Sequence, residues 1–106
     1  MRKHYLGVDI GSVYTALALL DENYQIIHTS YTPHNGQLTE SLIKSLSTVN
    51  LGLVRSIGCT SCTPSILKQA KITDTRIAYI TAAKNLHPEM RALLIIGAEK
   101  FGLATF

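Results

Sequence analysis

Residues 4–20, with the sequence HYLGVDIGSVYTALALL, contain two apolar runs that are separated by Gly11 and Ser12 alone. Residues 4–10 and residues 13–20 are short and rich in β-branched, aromatic and aliphatic side chains, which is typical of buried β-strands. A two-residue connection that starts with glycine predicts a type II′ hairpin turn, because glycine supplies the positive φ that this turn requires. We therefore predict an antiparallel hairpin at the N-terminus.

A third strand and then a helix follow this hairpin. Residues 24–31 (YQIIHTSY) come after a polar turn and predict a third antiparallel strand. Proline, asparagine and glycine within residues 33–36 break the chain. From Gln37 apolar side chains recur at helical spacing, which predicts an amphipathic helix that stops near Asn50 and Gly52. Its apolar stripe comprises Leu38, Leu42, Ile43, Leu46 and Val49.

The rest of the chain alternates between strand and helix. We predict strands at residues 53–57, 91–96 and 101–106, a short helix at residues 63–70, and a longer helix at residues 75–85. The apolar run RALLII at residues 91–96 is expected to be a buried strand of the same fold. Three antiparallel strands followed by helical crossovers into parallel strands predict an α/β fold of the ribonuclease-H-like type with a mixed sheet. A chain of 106 residues is long enough for one such subdomain.

Composition excludes several classes of protein. Hydrophobic residues make up 46% and charged residues 16% of the chain, which is typical of a folded domain. The net charge of +3 comes from scattered basic residues rather than from a basic face, so we expect no nucleic-acid partner. No apolar run approaches the ~20 residues of a membrane span, and two cysteines do not make a secreted disulfide framework. We therefore expect a cytoplasmic protein without a membrane partner.

The residues that point to chemistry are Asp9, Gly11 and Ser12. A carboxylate at the end of an apolar strand is costly unless it has a partner, and a hydrated Mg²⁺ is a suitable one. Gly11 would let a phosphate approach the backbone, the N–H groups of the turn could bind its oxygens, and Ser12 could add a hydroxyl donor. The alternative is that Asp9 only satisfies backbone groups of an ordinary turn. The short motif alone leaves both interpretations open.

Residues 7–27, GVDIGSVYTALALLDENYQII, resemble the first phosphate motif of the actin/Hsp70/sugar-kinase superfamily of ATPases. Within that superfamily, the chain is most similar to the activator ATPases of 2-hydroxyacyl-CoA dehydratases and benzoyl-CoA reductases, the BadF/BcrA type. The resemblance implies that Asp9 holds Mg²⁺ through water, and that Gly11 and Ser12 bind the β- and γ-phosphates of ATP or ADP. It also implies an ATPase that activates a partner dehydratase or reductase.

Residues 87–98, HPEMRALLIIGA, resemble the segment of these activators that leads into their second phosphate motif. The resemblance assigns Gly97 to phosphate binding. The motif departs from the family pattern Asp-Ile-Gly-Gly-Gln-Asp, and the lysine expected after the first motif is missing. The departures are Ile95 for Asp, Ala98 for Gly, Glu99-Lys100 for Gln-Asp, and Ala16 for Lys. Ile95 cannot orient water or hold a metal, which argues against hydrolysis. Because catalysis needs groups from both lobes of the family fold positioned together, we expect weak nucleotide binding and no useful turnover by this chain.

The resemblance also implies parts that the sequence does not contain. The family's adenosine motif and second lobe would lie beyond Phe106, so we expect residues 1–106 to be one subdomain of a longer two-lobed ATPase. The second lobe, of the same or a parent chain, is then a partner. The cysteines that bridge two family subunits with an iron–sulfur cluster have no counterpart, so we expect no cluster in this chain. If the chain ends at Phe106, its last strand leaves an exposed edge, and we expect an isolated fragment to form a homodimer or to aggregate.

Three other interpretations are open. In the first, the domain is a degenerate, non-catalytic relative that serves packing or partner docking. In the second, Glu40 on the first helix joins Asp9 in a two-metal nuclease site, although no third carboxylate follows the next strand. In the third, Cys59 and Cys62 use their C-x₂-C spacing for a metal or for redox chemistry, although the chain offers no second ligand pair.

Overall fold

The structure, a computed structural model, describes residues 2–61, 63–64, 70–96 and 101–106. The strands are β1 (His4–Ile10), β2 (Tyr14–Leu20), β3 (Ile26–Pro33), β4 (Val54–Thr60), β5 (Lys71–Thr73), β6 (Ala92–Ile96) and β7 (Phe101–Thr105), and the helices are α1 (Leu38–Leu46) and α2 (Thr75–Leu86). Five strands form one mixed sheet in the order β3-β2-β1-β4-β5, and β6 and β7 form a separate hairpin. β4 lies parallel to β1 after the α1 crossover, so the predicted mixed α/β architecture is confirmed.

The hydrophobic core lies between α1 and one face of the large sheet. Side chains alternate along a strand, so every second residue of β1 and β2 faces α1. The core consists of Leu6, Val8, Ile10, Leu17, Leu19, Leu42, Val49, Val54 and Cys59. Leu42 is buried as predicted, but Ile43 is 63% exposed, because adjacent helical residues lie about 100° apart around the axis. The opposite face of the sheet, here called the open face, carries the intervening residues, among them Asp9 and Ala16.

The predicted N-terminal meander is confirmed, because β1 pairs antiparallel with β2, and β2 pairs antiparallel with β3. The predicted type II′ turn between β1 and β2 is wrong. Among the described residues only Tyr24, Asn35 and Gly36 have positive φ, so Gly11 does not adopt the left-handed conformation. The connection is also longer than predicted, since β2 begins at Tyr14 and the Gly11 N–H donates to the Tyr14 carbonyl over 3.0 Å.

A type I′ turn connects β3 to α1. Asn35 and Gly36 have φ values of 51° and 79°. The Gln37 N–H donates to the His34 carbonyl over 2.8 Å and closes the turn. Asn-Gly is favoured at the two central positions of this turn, because both positions require positive φ. The turn places His34 beside the connection between β1 and β2, since the His34 N–H donates to the Val13 carbonyl.

Several strand boundaries differ from the prediction. β3 begins at Ile26, because the Asp21 carboxylate accepts the N–H groups of Asn23 and Gln25 and so extends the preceding turn. β4 continues to Thr60, beyond the predicted end at residue 57. β5 has no counterpart among the predicted strands, because its three residues are all exposed and show no alternation.

The longer of the two remaining predicted helices is confirmed as α2. The Asp74 carboxylate accepts the N–H groups of Arg76 and Ile77 and caps the first turn of this helix. The short helix predicted at residues 63–70 lies largely outside the described residues. None of the helices in the described ranges has the length and hydrophobicity that a membrane span needs.

β6 is not the buried strand of the main sheet that its apolar sequence predicts. Within the described part of the chain it pairs with β7 alone, and Leu94 and Ile96 are 53% and 74% exposed. An apolar run indicates a strand, but it does not indicate the sheet to which the strand belongs. The prediction is therefore correct about the conformation and wrong about the packing.

The β6–β7 hairpin repeats the register of the β1–β2 hairpin. In both hairpins, the last paired residue of the first strand and the first paired residue of the second strand are separated by the same number of residues. These flanking pairs are Ile10 with Thr15 in the first hairpin and Ile96 with Phe101 in the second. The equal spacing gives Ile95 the position in the second hairpin that Asp9 has in the first.

Candidate functional site

The predicted site residues Asp9, Gly11 and Ser12 lie together where β1 ends. Asp9 is half-buried on the open face, and it pairs with Ala16 of β2. Gly11 and Ser12 follow in the connection between β1 and β2, and both are exposed. Gly97, the fourth predicted phosphate-binding residue, lies outside the described residues.

Both oxygens of the Asp9 carboxylate accept hydrogen bonds from hydroxyl groups. Thr60 Oγ1, at the end of β4, donates to Oδ1 over 2.7 Å, and the Tyr79 hydroxyl of α2 donates to Oδ2 over 2.9 Å. β1 and β4 are parallel neighbours, so their carboxyl ends meet at one edge of the sheet, where ligands of α/β proteins commonly bind. The two bonds fix the orientation of the carboxylate, and neither donor carries a charge.

Thr63 links this carboxylate to the backbone of β1. Its Oγ1 accepts the N–H of Ile10 over 2.9 Å and lies 2.9 Å from Thr60 Oγ1. A hydroxyl group has a single proton to donate. Because Thr60 donates its proton to Asp9, Thr63 is the donor to Thr60. This chain of hydrogen bonds couples the orientation of the carboxylate to the backbone at the start of the β1–β2 connection.

The β1–β2 connection offers hydrogen-bond donors to a ligand. Within the described ranges, no acceptor is hydrogen-bonded to the N–H groups of Ser12 and Val13. A Cβ placed on Gly11 would meet no atom within 4 Å, and its φ is not in the left-handed region, so no described part of the protein requires glycine there. A glycine at this point provides what the close approach of a ligand to the backbone requires.

His34 holds the same connection at two points. It is 7% exposed, its N–H donates to the Val13 carbonyl over 3.0 Å, and its Nε2 bonds to the Gly11 carbonyl over 2.9 Å. The Gly36 N–H donates to Nδ1 over 3.0 Å. Because Nδ1 accepts a hydrogen bond and a carbonyl can only accept, the ring proton is on Nε2. The ring therefore has both of its nitrogens engaged.

A cavity of about 860 Å³ lies between the open face and α2, a size suited to a small-molecule ligand. Small residues of the open face, Gly7, Ala16, Ala18 and Gly58, are among the residues that line it. Asp9 and Tyr79 line it as well. The side-chain hydrogen bond with Tyr5 raises the pKa of Tyr24, another lining residue, above its usual value, so this phenol is neutral near pH 7.

The donor set suits Mg²⁺ only as a companion of nucleotide phosphates. Mg²⁺ is usually bound by one or two carboxylates, several waters and the phosphate oxygens of a substrate. In the described residues no group of three or more His, Cys, Asp or Glu side chains comes together. Asp9 therefore fits a metal that is held mainly by phosphates and water, with the carboxylate acting through a water molecule.

Two positions lack the charged groups of the family pattern. Ala16 stands directly opposite Asp9 on β2, where the resemblance predicts a lysine. Ile95 pairs with Gly102 in the second hairpin, and the resemblance predicts a carboxylate at the position of Ile95. Aliphatic side chains can neither bind phosphate nor orient water. The donors of the β1–β2 connection itself are consequently N–H groups and the Ser12 hydroxyl.

The structure gives no support to the nuclease and C-x₂-C interpretations. Glu40 is exposed on α1, and α1 covers the face of the sheet opposite to Asp9. A shared two-metal site would require both carboxylates on one side of the sheet, where they could hold two metal ions about 4 Å apart. Cys59 is a free, buried residue of the hydrophobic core, and Cys62 lies outside the described residues.

No sequence motif indicates four residues of this site, which are His34, Thr60, Thr63 and Tyr79. Thr60 could have been found from topology, since it ends the strand that runs parallel to β1. His34, Thr63 and Tyr79 form hydrogen bonds with residues that are 23, 53 and 70 positions away in the sequence, respectively. Local periodicity holds no information about contacts at such separations.

Replacing Tyr79 by phenylalanine is expected to lower the free energy of unfolding by about 1 kcal/mol, the net value of a typical hydrogen bond. The variant keeps the ring and removes the donor to Asp9 Oδ2. Urea unfolding followed by circular dichroism measures the change. Tyr31→Phe is the matched control, because Tyr31 is 69% exposed and its loss of a hydroxyl should have little effect. A Tyr79→Phe midpoint equal to that of the control would contradict the assigned hydrogen bond.

No protein-family model matches the sequence, and no curated protein matches it. Solved structures are similar. The (R)-2-hydroxyglutaryl-CoA dehydratase component A from Acidaminococcus fermentans has a TM-score of 0.83 at 17% identity, covering 97% of this chain and 42% of that chain. The activator of the 2-hydroxyisocaproyl-CoA dehydratase from Clostridium difficile with bound ADPNP has a TM-score of 0.74 at 14% identity, covering 96% and 46%. YeaZ from Pseudomonas aeruginosa has a TM-score of 0.51 at 14% identity, covering 98% and 65%.

These likenesses establish the fold. The three structures share the actin-like ATPase fold, so the predicted fold of this chain, a ribonuclease-H-like subdomain of actin-like type, is confirmed. The chain spans less than half the length of the first two structures.

Proposed function

We propose that this chain is the first phosphate-binding subdomain of an activator ATPase of the BadF/BcrA type, and that it belongs to a longer two-lobed protein. In this role it binds the phosphates of Mg-ATP or Mg-ADP at the β1–β2 connection. The complete ATPase couples hydrolysis to the activation of a partner dehydratase or reductase. The subdomain alone binds nucleotide weakly and does not turn it over.

One observation carries the proposal. The N–H groups of Ser12 and Val13 have no acceptor within the described ranges, and they follow closely in the chain on Asp9, whose carboxylate is oriented by two hydrogen bonds. Successive backbone N–H groups in a turn form a concave site for anionic oxygens. A Cβ on Gly11 would meet no atom within 4 Å, so the backbone of the connection is open to a ligand at this residue. The arrangement suits a phosphate together with a hydrated cation.

Two of the similar structures support the proposal. One is a component of a 2-hydroxyacyl-CoA dehydratase, and the other is an activator of such a dehydratase with ADPNP bound. The sequence motif around Asp9 adds to the likeness, because it resembles the phosphate motif of the same family.

Different residues of this chain would bind the cation and the phosphates. Asp9 would orient the water shell of the cation, and Thr60 and Tyr79 would hold its carboxylate in place. The N–H groups of the connection and the Ser12 hydroxyl would donate to phosphate oxygens. Bound Mg²⁺ would neutralise phosphate charge. Ile95 cannot orient an attacking water, which is why we propose binding without hydrolysis by this chain.

Isothermal titration calorimetry with Mg-ATP, Mg-ADP and Mg-AMP tests the proposal. We expect weak, saturable binding of ATP and ADP, and no binding of AMP, because AMP lacks the phosphates that the connection would hold. MgCl₂ alone should produce little binding heat, since no group of three or more His, Cys, Asp or Glu side chains comes together in the described ranges. Absence of binding at millimolar ATP, or equal binding of AMP, would contradict the proposed site.

A second candidate is a non-catalytic docking domain. It is favoured by the β6–β7 hairpin, which exposes Leu94, Ile96 and Leu103. A two-stranded hairpin is only marginally stable in water, so its apolar side chains call for a covering surface. In this candidate the hairpin packs on a second lobe or a partner, and the β1–β2 connection binds no nucleotide. The same titration separates the two candidates.

A further inference from the structure

We infer that His34 is a positioning residue for the phosphate-binding connection: its ring holds the Gly11 carbonyl and thereby directs the Ser12 N–H toward the ligand. The inference rests on the proposed phosphate site. It adds to that site a residue that neither the phosphate motif nor the family resemblance includes.

The direction of the Ser12 N–H follows from the geometry of one peptide unit. The Gly11 carbonyl and the Ser12 N–H belong to the same peptide, and in a planar trans peptide these two groups point in opposite directions. His34 is 7% exposed and donates from Nε2 to the Gly11 carbonyl over 2.9 Å, which turns this carbonyl toward the protein. The Ser12 N–H must then point away from the protein, toward the side from which a ligand would approach.

The same bond keeps the connection open. The Gly11 N–H donates to the Tyr14 carbonyl over 3.0 Å, which is one of the two bonds that close a tight hairpin turn. The second bond would run from the Tyr14 N–H to the Gly11 carbonyl, but this carbonyl is held by His34 instead. The imidazole therefore replaces the closing bond of the turn. A carbonyl released from His34 would be free to rotate with its peptide and to take the Ser12 N–H away from the ligand.

The His34 ring is itself fixed by the following turn. The Gly36 N–H donates to Nδ1 over 3.0 Å, which sets the ring orientation and leaves the proton on Nε2. Gly36 occupies this position because the type I′ turn at Asn35 and Gly36 directs its N–H back to the ring. The ring thus joins two turns, and each of its two nitrogens has a separate task.

Two substitutions separate these tasks. The side chain in His34→Asn can accept the Gly36 N–H, as asparagine does in an Asx turn, but it is too short to reach the Gly11 carbonyl. The amide nitrogen in His34→Gln extends about as far as Nε2 and can donate to that carbonyl. If His34 only stabilises the turn, asparagine should preserve its function better than glutamine does. If His34 positions the connection, glutamine should preserve its function better.

Calorimetric titration of the full chain with Mg-ATP is expected to give about fivefold weaker binding for His34→Asn, the equivalent of one net hydrogen bond, and binding within about twofold of wild type for His34→Gln. His28→Asn is the matched control on β3, because the His28 ring contacts Thr48 and not the connection. Equal losses in both His34 variants, a larger loss in His34→Gln, or no loss in His34→Asn would overturn the inference.

Amide hydrogen exchange at Gly11 gives a readout that does not depend on nucleotide. We expect exchange about fivefold faster in His34→Asn than in His34→Gln, because the loss of a net hydrogen bond frees the connection. Equal exchange rates in the two variants would overturn the role of His34. If wild type binds no Mg-ATP but the exchange rates differ as expected, the proposed function fails and the positioning of the connection by His34 stands.

Discussion

Replacing Gly11 by valine is expected to weaken Mg-ATP binding at least ~100-fold while leaving the free energy of unfolding within about 1 kcal/mol of wild type. The backbone accepts a side chain at this position, because φ is not in the left-handed region and no atom lies within 4 Å of the Cβ position. The branched side chain would stand in the connection itself, where a phosphate has to come close to the backbone to reach the Ser12 and Val13 N–H groups. Hydrogen bonds to a charged phosphate are worth about 1.5–3 kcal/mol each, so losing two of them accounts for the effect.

Gly102→Val is the matched control for this experiment. A Cβ on Gly102 also meets no atom within 4 Å, and this glycine lies in β7 rather than in the first hairpin. We expect the control to bind Mg-ATP like wild type, and calorimetry together with urea unfolding measures both properties. Wild-type affinity in Gly11→Val would mean that the ligand does not approach the β1–β2 connection.

Replacing Asp9 by asparagine is expected to lower the affinity for Mg-ATP roughly 30-fold, which corresponds to about 2 kcal/mol. The amide has the same shape, so its oxygen can still accept from Thr60, and its nitrogen can donate to the oxygen of Tyr79. What it loses is the negative charge that orients the hydrated cation. The dependence of binding on Mg²⁺ should therefore disappear in Asp9→Asn, whereas wild type should bind ATP more weakly when EDTA is present.

Asp21→Asn makes the same chemical change at a distance from the site. The Asp21 carboxylate accepts the N–H groups of Asn23 and Gln25 in the turn between β2 and β3. We expect this variant to keep the Mg²⁺ dependence of wild type. If Asp9→Asn retains a full Mg²⁺ dependence as well, Asp9 does not act on the cation, and its carboxylate serves only the hydrogen bonds with Thr60 and Tyr79.

The sequence predicts those parts of the fold whose signals are local. The period-two strands of the meander and the leucine spacing of α1 each depend on neighbours a few residues away. The three residues of β5 are too few to show a pattern, and they are strand only because β4 offers them a partner. β6 illustrates the opposite case. Its apolar sequence indicates a strand, but its pairing with β7 depends on contacts that periodicity does not record.

In the candidate site, too, the residues of a local motif could be predicted from the sequence, and those brought in by long-range contacts could not. Asp9, Gly11 and Ser12 form a contiguous motif and could be selected from the sequence. Tyr79 reaches Asp9 from a helix 70 residues further along the chain, and no feature of that helix distinguishes this tyrosine from a packing residue. For His34, the Asn-Gly pair predicts a turn, but the sequence does not reveal that the turn faces the β1–β2 connection.

The central claim is that nucleotide phosphates bind at the β1–β2 connection. The most direct test is a titration of the ¹⁵N-labelled chain with Mg-ATP, in which the amide chemical shifts report the position of the ligand. The account predicts the largest shift changes at Gly11, Ser12 and Val13, small changes in the β6–β7 hairpin, and none with Mg-AMP. Shift changes centred elsewhere in the chain, or no changes at millimolar Mg-ATP, would contradict it.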